Sequence, residues 1–531
     1  MSIFNRRSMF IFSLLFASFT ILNAFYYHDE DISGNEVWLA DSLHYVNDNI
    51  TILEGASITI QEGCEIYMNW NLTVNGKLYV NGDSWFRVEF RESGDLIFDD
   101  ADTGSSINYT DFNAADLTIR NCSDSLGITV SNSSFSNGSD LLIENNSNPG
   151  ISDCDIDGTT FKIYDSNPLV SNIQISNTNV GLRVADNAAP VITDLVSDDN
   201  SSGVVVQNGA AGSFTNCSFE NNSDDGLKAI NSGNPIFEQC SFSNNFSNGI
   251  NITAENGGES SATFNECVAD SNSNYGVYLL QAGGSSASAV ITDCEIKDNY
   301  DSGIYAKGDI TISSTEISGN DGYGLYVPAE TDVGLSISNL TVANNDTTAF
   351  SVPVGLVSDI PDFDSMSIYD NNPDGIDVTS DYLNENAVWN SNPIYLCGQL
   401  GINQDFTLQL PANTIIYCRQ NSKIKVQGSI IADSVWFKPD KELDSEITGY
   451  WQGIFLEGNL QSRLNSCSIN NAGLSNMRTR PASIVLDYVN YADSMVILNN
   501  VHIEDSGGDG IYIDYARPII TNCQITFSDS C

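Results

Sequence analysis

A glycine followed by alternating apolar residues recurs seven times between residues 181 and 327. Successive glycines are 21 to 27 residues apart, which is a period typical of proteins built from stacked supersecondary units. One such unit cannot bury its own apolar face, so a core forms only when neighbouring units stack on it. The glycines are Gly181, Gly203, Gly226, Gly249, Gly276, Gly303 and Gly324.

The apolar positions that precede each glycine also fall into register from repeat to repeat. Short apolar runs with a spacing of two predict β-strands, and the Asn, Asp and Gly residues between them supply tight turns. We expect about three strands in each coil, and ladders of stacked turn asparagines such as Asn216, Asn222, Asn245 and Asn299. The central column contains Ile173, Leu195, Cys217, Cys240, Cys267, Cys294, Thr315 and Leu340.

The repeats around three cysteines resemble a known repeat signature. Each runs from a polar residue through Cys and a polar residue to an apolar one, and then leads to a glycine and an apolar pair; the cysteines are Cys217, Cys294 and Cys523. This pattern resembles the right-handed parallel β-helix of secreted bacterial proteins with the pectin-lyase-like architecture. The resemblance covers residues 36–531 and implies an all-β solenoid, but sites on such scaffolds are added to the outer face, so activity does not follow from it.

A longer duplication divides the chain. Val37, Trp38, Tyr45, Tyr67 and residues 72–76 recur 350 to 352 residues later as Val388, Trp389, Tyr395, Tyr417 and residues 424–428. The duplication predicts two β-helical segments, each preceded by a cap module. We place a linker at 25–35, the first cap and first coils at 36–110, a β-helix at 111–360 and the second cap and β-helix at 387–531.

Residues 361–386 are expected to be either a linker or an irregular coil of one continuous rod. In the first helix a glycine follows the central column by eight or nine residues, and this rule places the glycine after Cys523 beyond Cys531. The chain is therefore expected to be a fragment truncated within a coil, where strand edges would be exposed.

The first residues indicate export. Arg6 and Arg7 precede an apolar run from Met9 to Leu22, and Ala24 ends a small-residue cleavage site, so residues 1–24 are expected to be a signal peptide, with an uncleaved anchor as the alternative. We expect an extracellular, cell-surface or periplasmic protein. No later segment is apolar enough for membrane insertion. The chain carries 20 Lys and Arg against 69 Asp and Glu, a formal net charge of −49 that repels nucleic acid and anionic membranes.

Eight of the twelve cysteines occupy the same repeat position and are expected to point inward as free thiols. Disulfides between neighbouring coils are the alternative, because export implies an oxidising compartment. The spacing contains no zinc pattern, and no metal site is assigned. Ca²⁺ held by turn carboxylates is the one cofactor considered, without a calcium-binding motif. The eight are Cys122, Cys154, Cys217, Cys240, Cys267, Cys294, Cys467 and Cys523.

Catalytic chemistry has few candidates. The resemblance implies that enzymes of this architecture act on acidic polysaccharides, with a basic residue beside Ca²⁺ in lyases or clustered aspartates near a histidine in hydrolases. Neither motif is present. The candidates are two aspartate pairs on neighbouring coils and two basic residues that share the outward position two after glycine, although Asp-Asp before glycine is also ordinary turn chemistry. They are Asp198, Asp199, Asp224, Asp225, Arg183 and Lys228.

Three successive outward positions hold Tyr278, Tyr305 and Tyr326. Aromatic faces stack on sugar rings, but tyrosines also pair well between adjacent strands, so this column has both a binding and a purely structural interpretation. We interpret the protein as a secreted or cell-surface module for binding or structure, with carbohydrate as the favoured ligand, and not as an enzyme. The alternatives are a polysaccharide lyase or hydrolase and a structural surface rod or adhesin. The flanking candidates are Tyr275, Tyr300 and Tyr323.

Overall fold

The chain winds into stacked coils of short parallel strands, which confirms the all-β right-handed parallel β-helix that the repeats predict. The computed structural model describes residues 24–329, 333–443, 448–457, 461–474, 481–487 and 496–526. The expected signal peptide at 1–24 lies outside the described residues except for Ala24, and so does the C-terminal end after Thr526.

Each coil presents up to three faces. In the coil that begins at Val191, residues 191–193 lie on the first face, residues 195–197 on the second face and Ser202–Gln207 on the third face. Strands pair in parallel register with the equivalent strand of the next coil, and side chains alternate between buried and partly exposed positions. This alternation is the structural form of the period-two pattern in the sequence.

The first face is a continuous ladder from the N-terminal coils to Ser338. Three of its strands bend and continue onto the second face: Gly150–Asp157, Leu169–Ser176 and Val191–Ser197. The others are Asn35–Trp38, Ser57–Gln61, Lys77–Asn81, Ser105–Asn108, Ile128–Ser131, Ser213–Thr215, Ile236–Glu238, Glu259–Asn265, Ser286–Thr292, Asp309–Ser313 and Leu335–Ser338.

The second face begins with the first described strand, and at Ser218 and Ser241 it is reduced to isolated parallel bridges. Its remaining strands are Ala24–His28, Ser42–Val46, Glu65–Met68, Val88–Arg91, Thr110–Asn113, Ser134–Ser136, Val268–Asp270, Glu295–Lys297, Glu316–Ser318, Thr341–Ala343 and Ser367–Tyr369.

The third face carries the longest ladder, which pairs strand by strand from Ile50 to Thr526. Its strands are Ile50–Ile52, Leu72–Val74, Leu96–Asp99, Leu117–Arg120, Leu141–Glu144, Phe161–Tyr164, Val180–Ala185, Ser202–Gln207, Leu227–Ile230, Ile250–Ala254, Val277–Gln281, Ile304–Lys307, Leu325–Tyr326, Phe350–Pro353, Ile376–Thr379, Ile394–Leu396, Ile415–Cys418, Trp436–Pro439, Ser468–Asn470, His502–Glu504 and Gln524–Thr526.

Beyond residue 380 two new ladders replace the first and second faces. One contains Asp381–Leu383, Gln399–Ile402, Lys423–Val426, Gly453–Leu456, Ala482–Asp487 and Asp509–Asp514. The other contains Ala387–Val388, Thr407–Leu410, Ser429–Asp433, Arg463–Asn465, Ile497–Asn499 and Ile519–Thr521. Two short 3-10 helices, Val354–Asp359 and Phe363–Ser365, precede the change.

The change rotates the repeat by one face. Tyr45, from the first copy of the duplication, lies on the second face, whereas its counterpart Tyr395 pairs directly with Asp377 on the third face. Residues 361–386 contain three strands, and the third-face ladder crosses them without a break. One apolar core extends from Ile32 to Ile503 through this junction.

Asparagines fix the corner between the second and third faces. The backbone N–H of each buried ladder asparagine donates to the side-chain oxygen of the next, as from Asn245 to Asn272 at 3.0 Å. Its own amide group donates to a backbone carbonyl of the preceding coil, as from Asn272 to Phe242 at 3.0 Å. Asn216 is not in this ladder: it is an exposed corner residue with a φ of 53° that turns the chain from the first face to the second. The ladder runs through Asn200, Asn222, Asn245, Asn272, Asn299, Asn320 and Asn345 to Asn371.

The cysteines are free thiols wherever the structure describes them. Cys217, Cys240, Cys267 and Cys294 stack on consecutive coils and are buried, as expected for inward positions of the strand pattern. Burial raises the pKa of the Cys154 thiol to about 12, and the thiol of Cys294, which hydrogen-bonds to Cys267, also has a raised pKa. These groups therefore act as small apolar core residues.

Candidate functional site

Three predicted tyrosines lie side by side on the outer surface of the third face. Tyr278 pairs with Tyr305, and Tyr305 pairs with Tyr326, on consecutive coils. The Tyr278 and Tyr305 rings are stacked with centroids 4.9 Å apart, and the Tyr326 ring meets Tyr305 edge-on at 5.6 Å. A glycine directly before each of these strands lets the backbone pass close to the asparagine corner. At Gly276 a side chain would not fit, because a Cβ there would lie 2.8 Å from the Asn299 amide nitrogen.

Tyr275 and Tyr323 widen this aromatic surface. The Tyr275 ring lies 5.6 Å from Tyr278 and 5.3 Å from Tyr305, and the Tyr323 ring lies 5.4 Å from Tyr326. Tyr300 does not join the stacks: its side chain is 68% exposed on the corner that follows the asparagine ladder. The structure thus places five of the six predicted tyrosines on one surface.

The column continues past the junction with residues that sequence reasoning did not assign to the site. In register after Tyr326 come Ser351, Asp377, Tyr395 and Tyr417. Tyr395 and Tyr417 stack with centroids 4.7 Å apart, and the Lys438 ammonium lies 4.8 Å from the centre of the Tyr417 ring. We call the surface from Tyr275 to Lys438 the tyrosine strip. It consists of Tyr275, Tyr278, Tyr305, Tyr323, Tyr326, Ser351, Asp377, Tyr395, Tyr417 and Lys438.

An ion pair divides the strip into two aromatic parts. Arg419 Nη2 donates to both carboxylate oxygens of Asp377, at 2.8 and 2.9 Å. The Asp377 side chain is only 3% exposed although it occupies an outward strand position. Burial raises the pKa of Asp377, and the attraction of Arg419 opposes that effect. Thr348 and Cys397 also hydrogen-bond to this carboxylate, so it is held firmly beneath the surface.

Raised pKa values keep several phenol groups of the strip protonated at ordinary pH. Burial and the Asp301 carboxylate, which accepts a hydrogen bond from the Tyr275 hydroxyl, raise the pKa of Tyr275 to about 12. Burial also raises the pKa of Tyr395 to about 12 and raises the pKa of Tyr278 and Tyr305. The strip therefore offers flat apolar rings edged by neutral hydroxyls that can donate and accept hydrogen bonds.

The structure brings only part of the proposed acid and base cluster together. Lys228 forms an ion pair with Asp224, and its ammonium lies 3.9 Å from Asp225. Asp225 is buried and accepts hydrogen bonds from the backbone of Asn248 at 2.9 Å and the side chain of Asn251 at 2.8 Å. These contacts account for Asp225 as a turn residue of the coil.

The other three candidates lie apart from Lys228. Arg183 shares its outward column but is two coils away, separated by Val205, and donates to Gln207 at 3.2 Å. Asp198 and Asp199 come just before the ladder asparagine of their coil, whereas Asp224 and Asp225 come just after the ladder asparagine of theirs. Burial and the neighbouring Asp199 raise the pKa of Asp198, and Asp199 occupies the left-handed region at a φ of 54°.

Two further features bear on ligands. Within the described ranges no three His, Cys, Asp or Glu side chains are grouped as the ligands of a metal ion would be. In the same part of the chain no helix has both the length and the apolar character needed to cross a bilayer.

The tyrosine column from 278 to 326 was readable from the sequence because the repeat spacing fixes which residues face outward. The continuation of the column beyond Tyr326 could not be predicted in this way. The duplication alone would place Tyr395 and Tyr417 on the same face as Tyr45 and Tyr67. The one-face rotation moves them into line with Tyr326. Tyr395 and Tyr417 were visible only as markers of the duplication.

The family described as right handed beta helix region matches residues 163–308, 202–354 and 280–437, which together span just over half of the chain. Among solved structures, the A-module of a mannuronan C-5 epimerase from Azotobacter vinelandii aligns with 88% of this chain and 91% of its own at 10% identity and a TM-score of 0.17. A PL6 family alginate lyase, AlyGC, aligns with 89% of this chain and 86% of its own at 9% identity and a TM-score of 0.22. Similarities at this level carry no information about activity. A search of curated proteins gives no match.

Proposed function

Because the chain belongs to the family of proteins with a right-handed β-helix region, whose stacked coils leave their outer surface for binding, we propose that it binds carbohydrate along the tyrosine strip. The observation that carries this proposal is the group of partly exposed tyrosine rings on the three consecutive coils that carry Tyr278, Tyr305 and Tyr326. Coils repeat at about 4.8 Å, so successive rings offer a periodic surface to a linear polymer of rings.

Sugar rings fit both parts of this chemistry. The flat carbon–hydrogen faces of a pyranose pack on aromatic rings, while hydroxyls exchange hydrogen bonds with phenols and with polar groups such as Asp301. The Asp377 carboxylate is compensated by Arg419, so the strip is not a strongly charged surface. The net charge of −49 favours a neutral glycan over a polyuronate. The protein would act outside the cytoplasm, as its N-terminal sequence predicts.

Glycan-array binding of the full chain tests this proposal, with Tyr305→Ala as the decisive variant. Its ring contacts Tyr275, Tyr278 and Tyr326, so its removal should weaken binding about tenfold or more, the effect typical of a central aromatic contact. Tyr79→Ala is the matched control, because Tyr79 is a half-exposed strand tyrosine of the first face. Equal binding by the two variants, with both folded, would refute the proposal.

A polysaccharide lyase or hydrolase is the second candidate, and one observation favours it. Asp377 has a raised pKa beside an arginine and two tyrosines within the strip, an environment that can tune a general acid. Its 3% exposure argues against direct contact with substrate. Reducing-sugar and unsaturated-product assays with and without Ca²⁺ decide: turnover lost in Asp377→Asn, Asp224→Ala or Lys228→Ala would make the protein an enzyme.

A further inference from the structure

The first cap module repeats, on a different face, the part of the tyrosine strip that lies beyond the junction. On the second face Tyr45 pairs with Tyr67, Tyr67 with Arg91 and Arg91 with Asn113. On the third face Tyr395 pairs with Tyr417 and Tyr417 with Lys438, and the residue opposite Lys438 on the next strand is Asn470. From one coil to the next toward the C-terminus, both columns therefore contain a tyrosine, a second tyrosine, a cationic residue and an asparagine. We call the column of Tyr45, Tyr67, Arg91 and Asn113 the N-terminal column.

The two columns also share their ring geometry. Tyr45 and Tyr67 stack with centroids 4.7 Å apart at an interplanar angle of 17°, and Tyr395 and Tyr417 stack at 4.7 Å and 10°. In the N-terminal column the Arg91 guanidinium lies 5.9 Å from the centre of the Tyr67 ring, and in the second column the Lys438 ammonium lies 4.8 Å from the centre of the Tyr417 ring. Tyr45 and Tyr67 are both partly exposed, so both rings of the N-terminal column are accessible, whereas in the second column Tyr417 is partly exposed and Tyr395 is buried.

Fixed polar groups border the aromatic pair in each column. In the N-terminal column, Arg91 donates to Glu89 at 2.6 Å and lies 3.7 Å from Glu65, and Asn113 donates to Glu89 at 3.3 Å. The Tyr67 hydroxyl donates to Glu65 at 3.3 Å.

In the second column, the Asn470 amide donates to Glu504 at 2.9 Å. An open groove of about 730 Å³ beside Lys438 is lined by Tyr417, Trp436 and Asn470. An aromatic floor with pre-oriented donors and acceptors at one end is thus present twice in the chain.

We propose that the N-terminal column is a second carbohydrate-binding site, separate from the tyrosine strip, that takes pyranose rings of a neutral glycan. The proposal rests on carbohydrate binding by the strip for the ligand class, while the duplicated column carries the site itself. Two glutamates compensate Arg91, so the carboxylate of an acidic sugar would meet no unpaired cation there, whereas sugar hydroxyls can use the same carboxylates as acceptors.

The two sites face different directions, with consequences for binding. The N-terminal column is on the second face and the strip on the third face, and at least ten coils separate Tyr67 from Tyr395 along the ladders. One short oligosaccharide cannot occupy both. A long glycan, or two glycan chains, would be bound bivalently, which raises apparent affinity without new contacts.

Isothermal titration of the full chain with cellohexaose, and separately with mannohexaose, tests the proposal. At least one of these neutral probes should bind with a stoichiometry of two per chain. Tyr67→Ala and Tyr417→Ala remove equivalent rings and should each reduce the stoichiometry to one, or weaken one class of sites about tenfold. Tyr79→Ala should bind like the wild type. Tyr67→Leu keeps apolar contact but loses the flat ring, so it repeats the test if Tyr67→Ala unfolds the coil.

The outcomes separate the two proposals. One site per chain, lost in Tyr417→Ala and unchanged in Tyr67→Ala and Tyr67→Leu, overturns the second site and leaves binding by the strip intact. One site lost only in the Tyr67 variants supports the N-terminal column and refutes the strip. Failure of both probes to bind the wild type refutes both.

Discussion

The two cap modules share a sequence pattern but sit in different surroundings. The first contains the first described coils, where the strand Asn35–Trp38 pairs with Ser57–Gln61 and with no other described strand, whereas the second stacks on the central coils through the third-face ladder. Where Tyr27 lies below Tyr45 in the first copy, Asp377 lies below Tyr395 in the second. The same module therefore forms the first described coils in one place and continues the central coils in the other.

The difference shows that the ladder and the repeat are separate levels of organisation. Backbone pairing on the third face continues from Ile376–Thr379 to Ile394–Leu396 whatever side chains those strands carry. The side-chain pattern of the first cap module begins again in the second copy, but each of its strands lies one face further round the coil. A β-helix can therefore change the direction of a functional column without interrupting its core, and the junction joins the two aromatic parts of the strip in this way.

The largest expected effect compares the duplicated tryptophans. Trp389 is fully buried within the junction, and Trp38 is nearly as buried but stacks on His28 in the first described coils. Trp389→Ala should lower the free energy of unfolding by about 4 kcal/mol, the usual cost of deleting a buried aromatic side chain. Trp38→Ala should cost about half as much, because among the described strands Asn35–Trp38 is paired on one side only and can relax more easily.

Urea unfolding followed by circular dichroism measures this difference. The indole N–H of Trp389 has no hydrogen-bond partner among the described residues, so the loss reflects packing alone. Equal losses for the two variants would show that position along the rod does not matter, and would contradict the contrast drawn between the copies.

A second prediction concerns the ion pair that only the junction copy contains. Arg419→Met leaves the buried Asp377 carboxylate without its counter-ion, and we expect a loss of about 2 kcal/mol at pH 7, less than for a fully buried pair because Arg419 is 38% exposed. Asp377→Asn removes a charge that burial already disfavours, so its cost should stay below about 1 kcal/mol.

The sign of the pH effect follows from the raised pKa of Asp377. An acid whose folded pKa is raised favours the folded state at low pH and loses that contribution as pH rises through the folded value. Without Arg419 the pKa rises further, so Arg419→Met should approach wild-type stability as the pH is lowered from 7 toward 4. A deficit that stays constant over this range would contradict the assignment.

The sequence predicted the coils, the inward columns and the free cysteines because a strict period determines which side chains face the core. It also predicted the aromatic column up to Tyr326. It did not predict Asp377 and Arg419 as a pair, since they are 42 residues apart and Asp377 lies in the segment 361–386, outside the repeated pattern. It placed Asn216 in the ladder because corner and ladder asparagines look alike in sequence, and only backbone conformation distinguishes them.

The smallest expected effect concerns two histidines that only the first copy contains. At the core-facing positions where the second copy has Val378 and Ile394, the first has His28 and His44. His28 Nε2 lies 3.1 Å from His44 Nδ1, and His44 Nε2 lies 3.1 Å from the carbonyl oxygen of Leu39. Because a carbonyl can only accept, His44 carries its proton on Nε2, and its Nδ1 accepts from His28.

This hydrogen bond requires the His44 ring to be neutral, and a charge on His28 would lie beside it in a partly buried site. Burial and the neighbouring His44 lower the pKa of His28 to about 4, and burial lowers the pKa of His44. A histidine with a lowered folded pKa contributes stability above its unfolded value of 6.5 and loses it as pH falls toward the folded value. Between pH 6.5 and about 4 the first coil should therefore loosen, by an amount on the order of 1 kcal/mol after solvent screening.

Replacing His28→Val and His44→Ile together gives the first copy the residues of the second and should abolish this pH dependence. Hydrogen exchange of the segment 24–46, corrected for intrinsic rates, measures the loosening at pH 7 and pH 5, and His502→Val is the control because His502 lies far along the rod. If the double variant loosens on acidification as much as the wild type does, the histidine pair is not the cause. If it does not, the first described coil differs from its duplicate because it accommodates a polar pair at the positions where the junction coil contains two apolar side chains.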